Sequence, residues 1–410
     1  MAGKRRWGRR DVLRTSGVAI VGAATVGCLG SDGDGGNGEA DDDGDTGDNV
    51  TDANTAGSNG TDGTDDTDAT DETTDTDEDD EEPSDDGSYT VSMPPVGEVE
   101  FESVPETWAA NNGSWVDMGV ALGQEPPEAL YLAWRYHTAY YDAIPDVSVD
   151  PDGIHSLWEY GLAVEKFLQV AEAVEFFAMD PELLKNRGDL TADDIAQVES
   201  TGTPFFGNSI VSQDYRWHDD YDYLTLYEAF EKLAEVFQER EHYEAFASLH
   251  DEFQSILSDT VPANVRPEVA VLWPQDEESF LPSHIDGGTS FKHLRDLEVE
   301  DALASHEVSH YGQIDYETLL EVDPEYILLR SEQYLTESAF QERRVEPMQS
   351  HSVGQELTAV QNGNVYRAGP LHQGPIINLV VTQRMAERLY DIDEQLYDPQ
   401  AVSDIVNGDF

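Results

Sequence analysis

Residues 226–257 read LYEAFEKLAEVFQEREHYEAFASLHDEFQSIL, more than thirty positions with neither Gly nor Pro. Leu226, Phe230, Leu233, Val236 and Phe237 recur at the spacing of one helix face, which predicts one long helix or two nearly continuous ones. Val261-Pro262 ends the run. This helical stretch lies in mid-chain between two segments that alternate strand and helix, the pattern of an α/β protein. On its amino-terminal side, 107–112 reads as a strand, Gly113-Ser114 as a turn, and 115–122 as a helix stopped by Gly123. A second strand at 129–134 runs into an aromatic loop at 135–141. A helix at 190–201, capped by Thr191 and stopped by Gly202, precedes a short strand at 203–206. On the carboxyl-terminal side, 268–273 starts the second half as a buried strand. A loose repeat ties the halves together. Residues 164–170 lead to the apolar 174–178, as 316–322 lead to 326–329, each a short amphipathic helix, a turn and a buried strand.

The chain carries 86 acidic and 22 basic residues, a net charge of −64. Part of that excess sits in 31–88, which has 24 acidic residues, no Lys or Arg, and few apolar side chains to offset chain entropy. That segment is expected to be a disordered, self-repelling stalk. Asn49 and Asn59 head glycosylation sequons on it, and Asn112 heads a third in the folded part. The roughly 320 residues that follow exceed one ordinary core and suit two lobes of about 130–160 residues. They still carry a net charge of about −45. Self-repulsion on that scale strains a fold at ordinary ionic strength. In molar salt the Debye length falls to about 3 Å, so the composition points to an extremely saline habitat. No basic stripe exists for nucleic acid. Cys28 is the only cysteine, so no disulfide holds the fold.

Residues 1–30 are expected to be a twin-arginine lipoprotein signal. Arg9-Arg10 is followed by Val12, Leu13 and Arg14, a receptor-read export address. The apolar run 18–26 falls short of the ~20 residues that span a bilayer. It ends at Thr25-Val26-Gly27-Cys28, which resembles a lipobox with Cys28 as the lipidated residue. An uncleaved anchor is the alternative. Either reading places the protein on the extracellular face of the cell membrane.

The segment Ile314-Asp315-Tyr316-Glu317-Thr318-Leu319-Leu320-Glu321-Val322-Asp323-Pro324-Glu325-Tyr326-Ile327-Leu328-Leu329 resembles the helix-then-strand segment of siderophore- and cobalamin-type solute-binding proteins. The stretch Leu357-Thr358-Ala359-Val360-Gln361-Asn362-Gly363-Asn364-Val365-Tyr366 is similar to the same family's strand-turn, and 375–390 to its terminal helix. Val104-Pro105-Glu106 resembles the family's opening, although Asn111-Asn112-Gly113-Ser114-Trp115 departs from its small-residue loop. In all, the resemblance covers 101–390. It implies the class III form of the fold, two Rossmann-like lobes at 89–224 and 261–410 joined by a single long connecting helix at 225–260, with ligand in the interlobe cleft. It also implies a monomeric receptor that docks on an ABC permease through surface carboxylates, in a haloarchaeal lipoprotein form.

Candidate ligand contacts follow from aromatic-rich loops near predicted strand ends. Trp115, Trp134, Arg135, Tyr136, Arg216, Trp217 and Trp273 are of this kind. Flat aromatic faces pack on chelates or macrocycles, and an arginine neutralises an anionic complex. Asn111 joins them from the first strand-turn, Tyr311 from a loop before 314, and His372 from the turn before the last helix. Arginines beside tryptophans favour an anionic, partly planar ligand, since a cationic one would leave guanidiniums desolvated without partners. A ferric siderophore fits best, with cobalamin or haem as alternatives. No nucleophile constellation, phosphate loop or resident cofactor is expected, and the chain reads as a binding protein, not an enzyme. The rival is His306-Glu307-Val308-Ser309-His310, an HExxH pattern that on a helix would hold zinc for a metallopeptidase, with Glu317 or Glu321 as third ligand. Tyr311-Gly312 stops any such helix at once.

Overall fold

The computed structural model describes residues 87–410 except 189, 214, 216, 219, 286, 305–311 and 331. The signal with Cys28, the stalk through residue 86, Arg216, Tyr311 and the HExxH motif lie outside the described residues.

An antiparallel hairpin opens the fold, β1 (Tyr89–Met93) with β2 (Gly97–Phe101). There follow β3 (Trp108–Ala110), α1 (Gly113–Ala121), β4 (Ala129–Leu130), β5 (His155–Ser156), α2 (Val164–Ala171), β6 (Phe176–Ala178), α3 (Pro181–Arg187) and α4 (Ala192–Glu199). Two helices, α5 (Leu226–Phe237) and α6 (Arg240–Thr260), lead to the second half. It contains β7 (Glu268–Pro274), β8 (Ser279–Ser283), α7 (Lys292–Asp296), β9 (Glu300–Asp301), β10 (Ile314–Asp315), α8 (Tyr316–Val322) and β11 (Tyr326–Leu329). The chain closes with α9 (Glu337–Phe340), α10 (Glu346–Ser350), α11 (Thr358–Asn362), β12 (Val365–Arg367), α12 (Pro375–Tyr390) and α13 (Pro399–Val406).

The first sheet runs β5-β4-β3-β6, all parallel. Strands β4 and β5 lie on one side of β3 and β6 on the other, so the loops leaving β3 and its neighbours diverge, the place where α/β sheets open a ligand crevice. The second sheet runs β10-β8-β7-β11-β12, with β9 also on β7. It is mixed: β7, β11 and β12 are parallel, whereas β8 is antiparallel to β7 and β10.

Side chains alternate across each strand, so each sheet presents apolar residues on both faces. Ala110, Phe176, Val269, Val271 and Leu328 face a central core shared with α1, α5, α6, α12 and α13. Their neighbours Ala109 and Phe177 face α2–α4, while Ala270, Leu272, Ile327 and Leu329 face α8–α11. One helical core therefore touches a face of each sheet. All nine residues of α1 are buried in it.

Of the two readings of 225–260, one long helix or two nearly continuous ones, the structure has the second. A capping box between Thr225 and Glu228 starts α5, and Gln238 ends it in the left-handed conformation, at φ 55°. The chain re-enters a helix at Arg240. The strand expected over 129–134 also shortens. Only Ala129 and Leu130 pair, because β3 ends at Ala110, and the chain then coils into short 3-10 turns at Ala133–Arg135 and Thr138–Ala143. The expected strand at 203–206 reduces to one parallel bridge, Phe205 to Phe177.

Candidate ligand-binding site

Loops at the carboxyl ends of strands carry exposed aromatics. Trp134, Tyr160 and Tyr334 follow β4, β5 and β11 and keep 59%, 103% and 61% of their accessible surface. Leaving such rings in water forgoes their burial, so each is a candidate contact for a ligand.

Cations accompany the rings. The Arg135 guanidinium lies 4.7 Å from the centre of the Trp134 ring. Arg330, the first residue past β11, lies 5.3 Å from the Trp273 ring on β7, and its Nη1 donates to Ser283 Oγ at 2.8 Å. His372 links the two lobes. Burial, and then the charges of Arg135, His137 and Arg330, push its imidazole down to about 3. Charges are felt over roughly 10 Å, so cations from the loops after β4 and β11 converge on this ring. His372 keeps partial solvent access and is neutral at ordinary pH. A Cβ added at Gly113 would stand 3.2 Å from His372 Cβ and 3.1 Å from the Tyr136 ring, so the start of α1 passes directly under the His372 loop. A larger residue there would require both side chains to give by a few tenths of an ångström.

Two buried polar networks hold these loops. His293, fully buried on α7, sits 2.9 Å from Ala368 O through Nε2 and 2.9 Å from Gln373 Nε2 through Nδ1. Both nitrogens are satisfied only when the ring is neutral, and burial pushes it down to about 3. Gln373 also donates to Ser290 O at 2.9 Å and accepts from Asn378 at 3.1 Å, fixing the turn that carries His372. The second network centres on Asp117 of α1. Its Oδ2 accepts from the backbone N–H of Ile376 and Ile377 at 3.0 and 2.9 Å, capping α12 from the other half of the chain. Its Oδ1 accepts from Tyr141 OH at 2.7 Å, which in turn accepts from Tyr136 OH at 3.0 Å. Burial raises Asp117 to about 7 although these bonds pull the other way.

The residues expected at the site divide accordingly. Trp134 lies against Arg135 and Trp273 against Arg330, and both arginines act electrostatically on His372. Trp115 is fully buried in the central core, where packing claims the whole indole. Tyr136 is buried with its hydroxyl spent on Tyr141. Asn111 is buried, its Oδ1 accepting from Asn112 Nδ2 at 3.1 Å. These three form the floor of the fold, not a ligand wall. Asn112 caps α1 by accepting from Ser114 N at 2.9 Å, and its Nδ2, the atom a glycan would take, is buried and donates to Asn111 Oδ1 at 3.1 Å. Trp217 is half-buried and stacks on Tyr215 at 4.4 Å, in a ring cluster with His218, Tyr221 and Tyr223. Buried Asp180 ties down that loop by accepting from Ser209 Oγ and Tyr221 OH at 2.8 and 2.7 Å. Arg330 was detectable in sequence as a cation placed directly after an apolar strand in a chain with few cations.

The model of the periplasmic binding protein family matches residues 178–370, from the end of β6 to the loop before α12. No curated protein matches the chain in sequence. Among solved structures, a periplasmic binding protein from Veillonella parvula is similar over 75% of this chain and 99% of its own, at 16% identity and a TM-score of 0.53. The iron uptake ABC transporter substrate-binding protein PiuA from Streptococcus pneumoniae is similar over 73% and 98%, at 15% identity and 0.51. CeuE from Helicobacter pylori, in a nickel–histidine complex, is similar over 74% and 89%, at 11% identity and 0.50. Likeness at such identities is likeness of fold. The chain has the class III solute-binding fold, with one parallel and one mixed sheet. The family that matches it is one of binding proteins, not enzymes.

Proposed function

We propose that this protein is the extracellular substrate-binding receptor of an ABC importer and that its solute is a ferric siderophore. The observation that carries this reading is the pair of guanidiniums, Arg135 on the Trp134 ring and Arg330 on the Trp273 ring, both of which act on His372. Guanidiniums resting on aromatic faces keep their charge while losing freedom, an arrangement suited to an anionic complex with flat faces. The fold and the family match support the receptor role. Tryptophan fluorescence, titrated in molar salt with a ferric catecholate, ferric citrate, haem and cobalamin, tests the ligand. An anionic ferric chelate should quench most strongly, and Arg330→Ala or Arg135→Ala should each weaken it by about tenfold or more, as loss of a charge-assisted bond does. Quenching by cobalamin alone, untouched by either substitution, would refute the choice of ligand.

The receptor is proposed to be monomeric, exported through the twin-arginine signal and held outside the membrane by lipid on Cys28, with the acidic stalk as spacer. Cys28→Ser should then move the protein from the membrane fraction to the medium. Retention of that variant in membranes would favour an uncleaved anchor.

A further inference from the structure

We propose that the solute carries carboxylates of its own, received by a groove of three arginines beside the cleft. This inference rests on the ligand reading above and narrows it to a class of chelate. The groove, about 410 Å³, lies between the 3-10 turn after β4, α9, β12 and α12. Arg367, Arg384 and Arg388 line it, and each guanidinium lies over a ring: Phe340 at 5.7 Å, Tyr140 at 5.0 Å and Tyr366 at 5.2 Å. Three arginines in one groove is a steep local excess in a chain with 22 basic residues against 86 acidic.

The geometry sets the cations apart from ordinary surface ion pairs. Arg367 is engaged, donating to Glu337 at 2.7 Å and to Leu335 O at 2.7 Å. Among the described residues, neither Arg384 nor Arg388 pairs with a carboxylate. They stand four residues apart on α12, on one helix face, where like charges repel. The rings beneath hold both guanidiniums in place without neutralising them. Glu387 also lines the groove, so three arginines face two glutamates and one net positive charge remains. Spread monoanionic carboxylates suit that balance better than a compact dianion, which the glutamates would repel. Arginine forks match the carboxylate group in shape.

His137 makes the groove part of the ligand site. Its ring lines the groove, and it stands two residues after Arg135 on the same loop. Gln333, also in the lining, donates to Gly369 O in the strand-end turn that leads to His372. A chelate held at Arg135, Arg330 and His372 can therefore extend pendant carboxylates past His137 to Arg384 and Arg388. The solute class is a ferric hydroxycarboxylate, as opposed to a ferric hydroxamate without free acids.

The test compares ferric citrate with ferrioxamine on the full chain and on the Arg384→Gln/Arg388→Gln double variant, by tryptophan quenching in molar salt. Both arginines are exposed, so the variant should melt as the parent does. The expected result is tight ferric citrate binding by the parent and at least tenfold weaker binding by the double variant, with ferrioxamine weak on both. Arg384→Lys/Arg388→Lys should recover only part of the affinity, since the charge remains and the fork is lost. Unchanged ferric citrate binding by the Gln variant overturns the inference and leaves the receptor reading standing, as does tight parental binding of ferrioxamine. Failure of every ferric chelate to quench the parent overturns both.

Discussion

Asp117 shows how one residue can set the geometry of a site it does not touch. It stands on α1, yet its carboxylate caps α12 and orders the Tyr141–Tyr136 pair beneath the His372 loop. Asp117→Ala would strand two backbone donors and a tyrosine hydroxyl in the interior. Each such loss costs about 1–3 kcal/mol, so the variant, with three groups stranded, should lose at least about 3 kcal/mol in denaturant unfolding. Asp117→Asn keeps one acceptor for the helix and should lose less. The pH dependence has a definite sign. The carboxyl is raised from 3.8 to about 7 in the folded state, so the native protein binds the proton more tightly than the unfolded chain. The stability this group contributes is full below about 4 and is lost as pH rises through 7. Parent and Asn variant should therefore differ more at pH 5 than at pH 8. A gap that is the same at pH 5 and pH 8 would show that the carboxylate is ionised throughout that range.

Elements were legible where apolar periodicity and a capping residue agree. The α4 boundary was marked by Thr191, whose capping box with Asp194 is present, and α12 spans the expected 375–390 because Pro375 opens it and Gly374 precedes it. The helix and strand pairs at 164–178 and 316–329 occupy matching places beside the two sheets. What escaped sequence reading was decided by tertiary contacts. Nothing in Glu235-Val236-Phe237-Gln238-Glu239 marks a break, since Gln is an ordinary helix former; the αL turn at Gln238 lets both α5 and α6 lay an apolar face on the shared core. The same limit governs the site. An aromatic beside an arginine is visible in sequence, but whether the ring faces core or cleft is not. Trp115 and Trp134 differ only in the element that carries them, a buried helix in one case and an exposed turn in the other. The arginine groove was invisible for a further reason: Arg367, Arg384 and Arg388 meet Tyr140 only when α12 packs against a loop more than two hundred residues earlier.

At the scale of the whole molecule, charge dominates. Some acids do local work: Asp180, Asp315 and Asp398 cap α3, α8 and α13, where a negative side chain meets unpaired N–H groups. Those bonds are short-ranged and survive changes in salt. The remaining carboxylates have few cations to pair with, since acids outnumber bases 86 to 22, and they repel one another across the surface. Ion pairs such as Lys166–Glu159 and Arg240–Glu244 are exposed and contribute about 0–1 kcal/mol each, too little to offset that repulsion. Stability should therefore depend on screening. The Debye length grows from about 3 Å in molar salt to about 10 Å at 0.1 M, which turns repulsion between neighbours into repulsion across a lobe. Thermal melting followed by circular dichroism should show the transition falling steadily as sodium chloride is lowered from molar to about 0.1 M. Sucrose at equal osmolality should not restore it, because excluded solutes strengthen burial without screening charge. A melting temperature that stays flat across the salt series would mean that the acidic surface does not limit the fold, and the saline habitat inferred from composition would lose its physical basis.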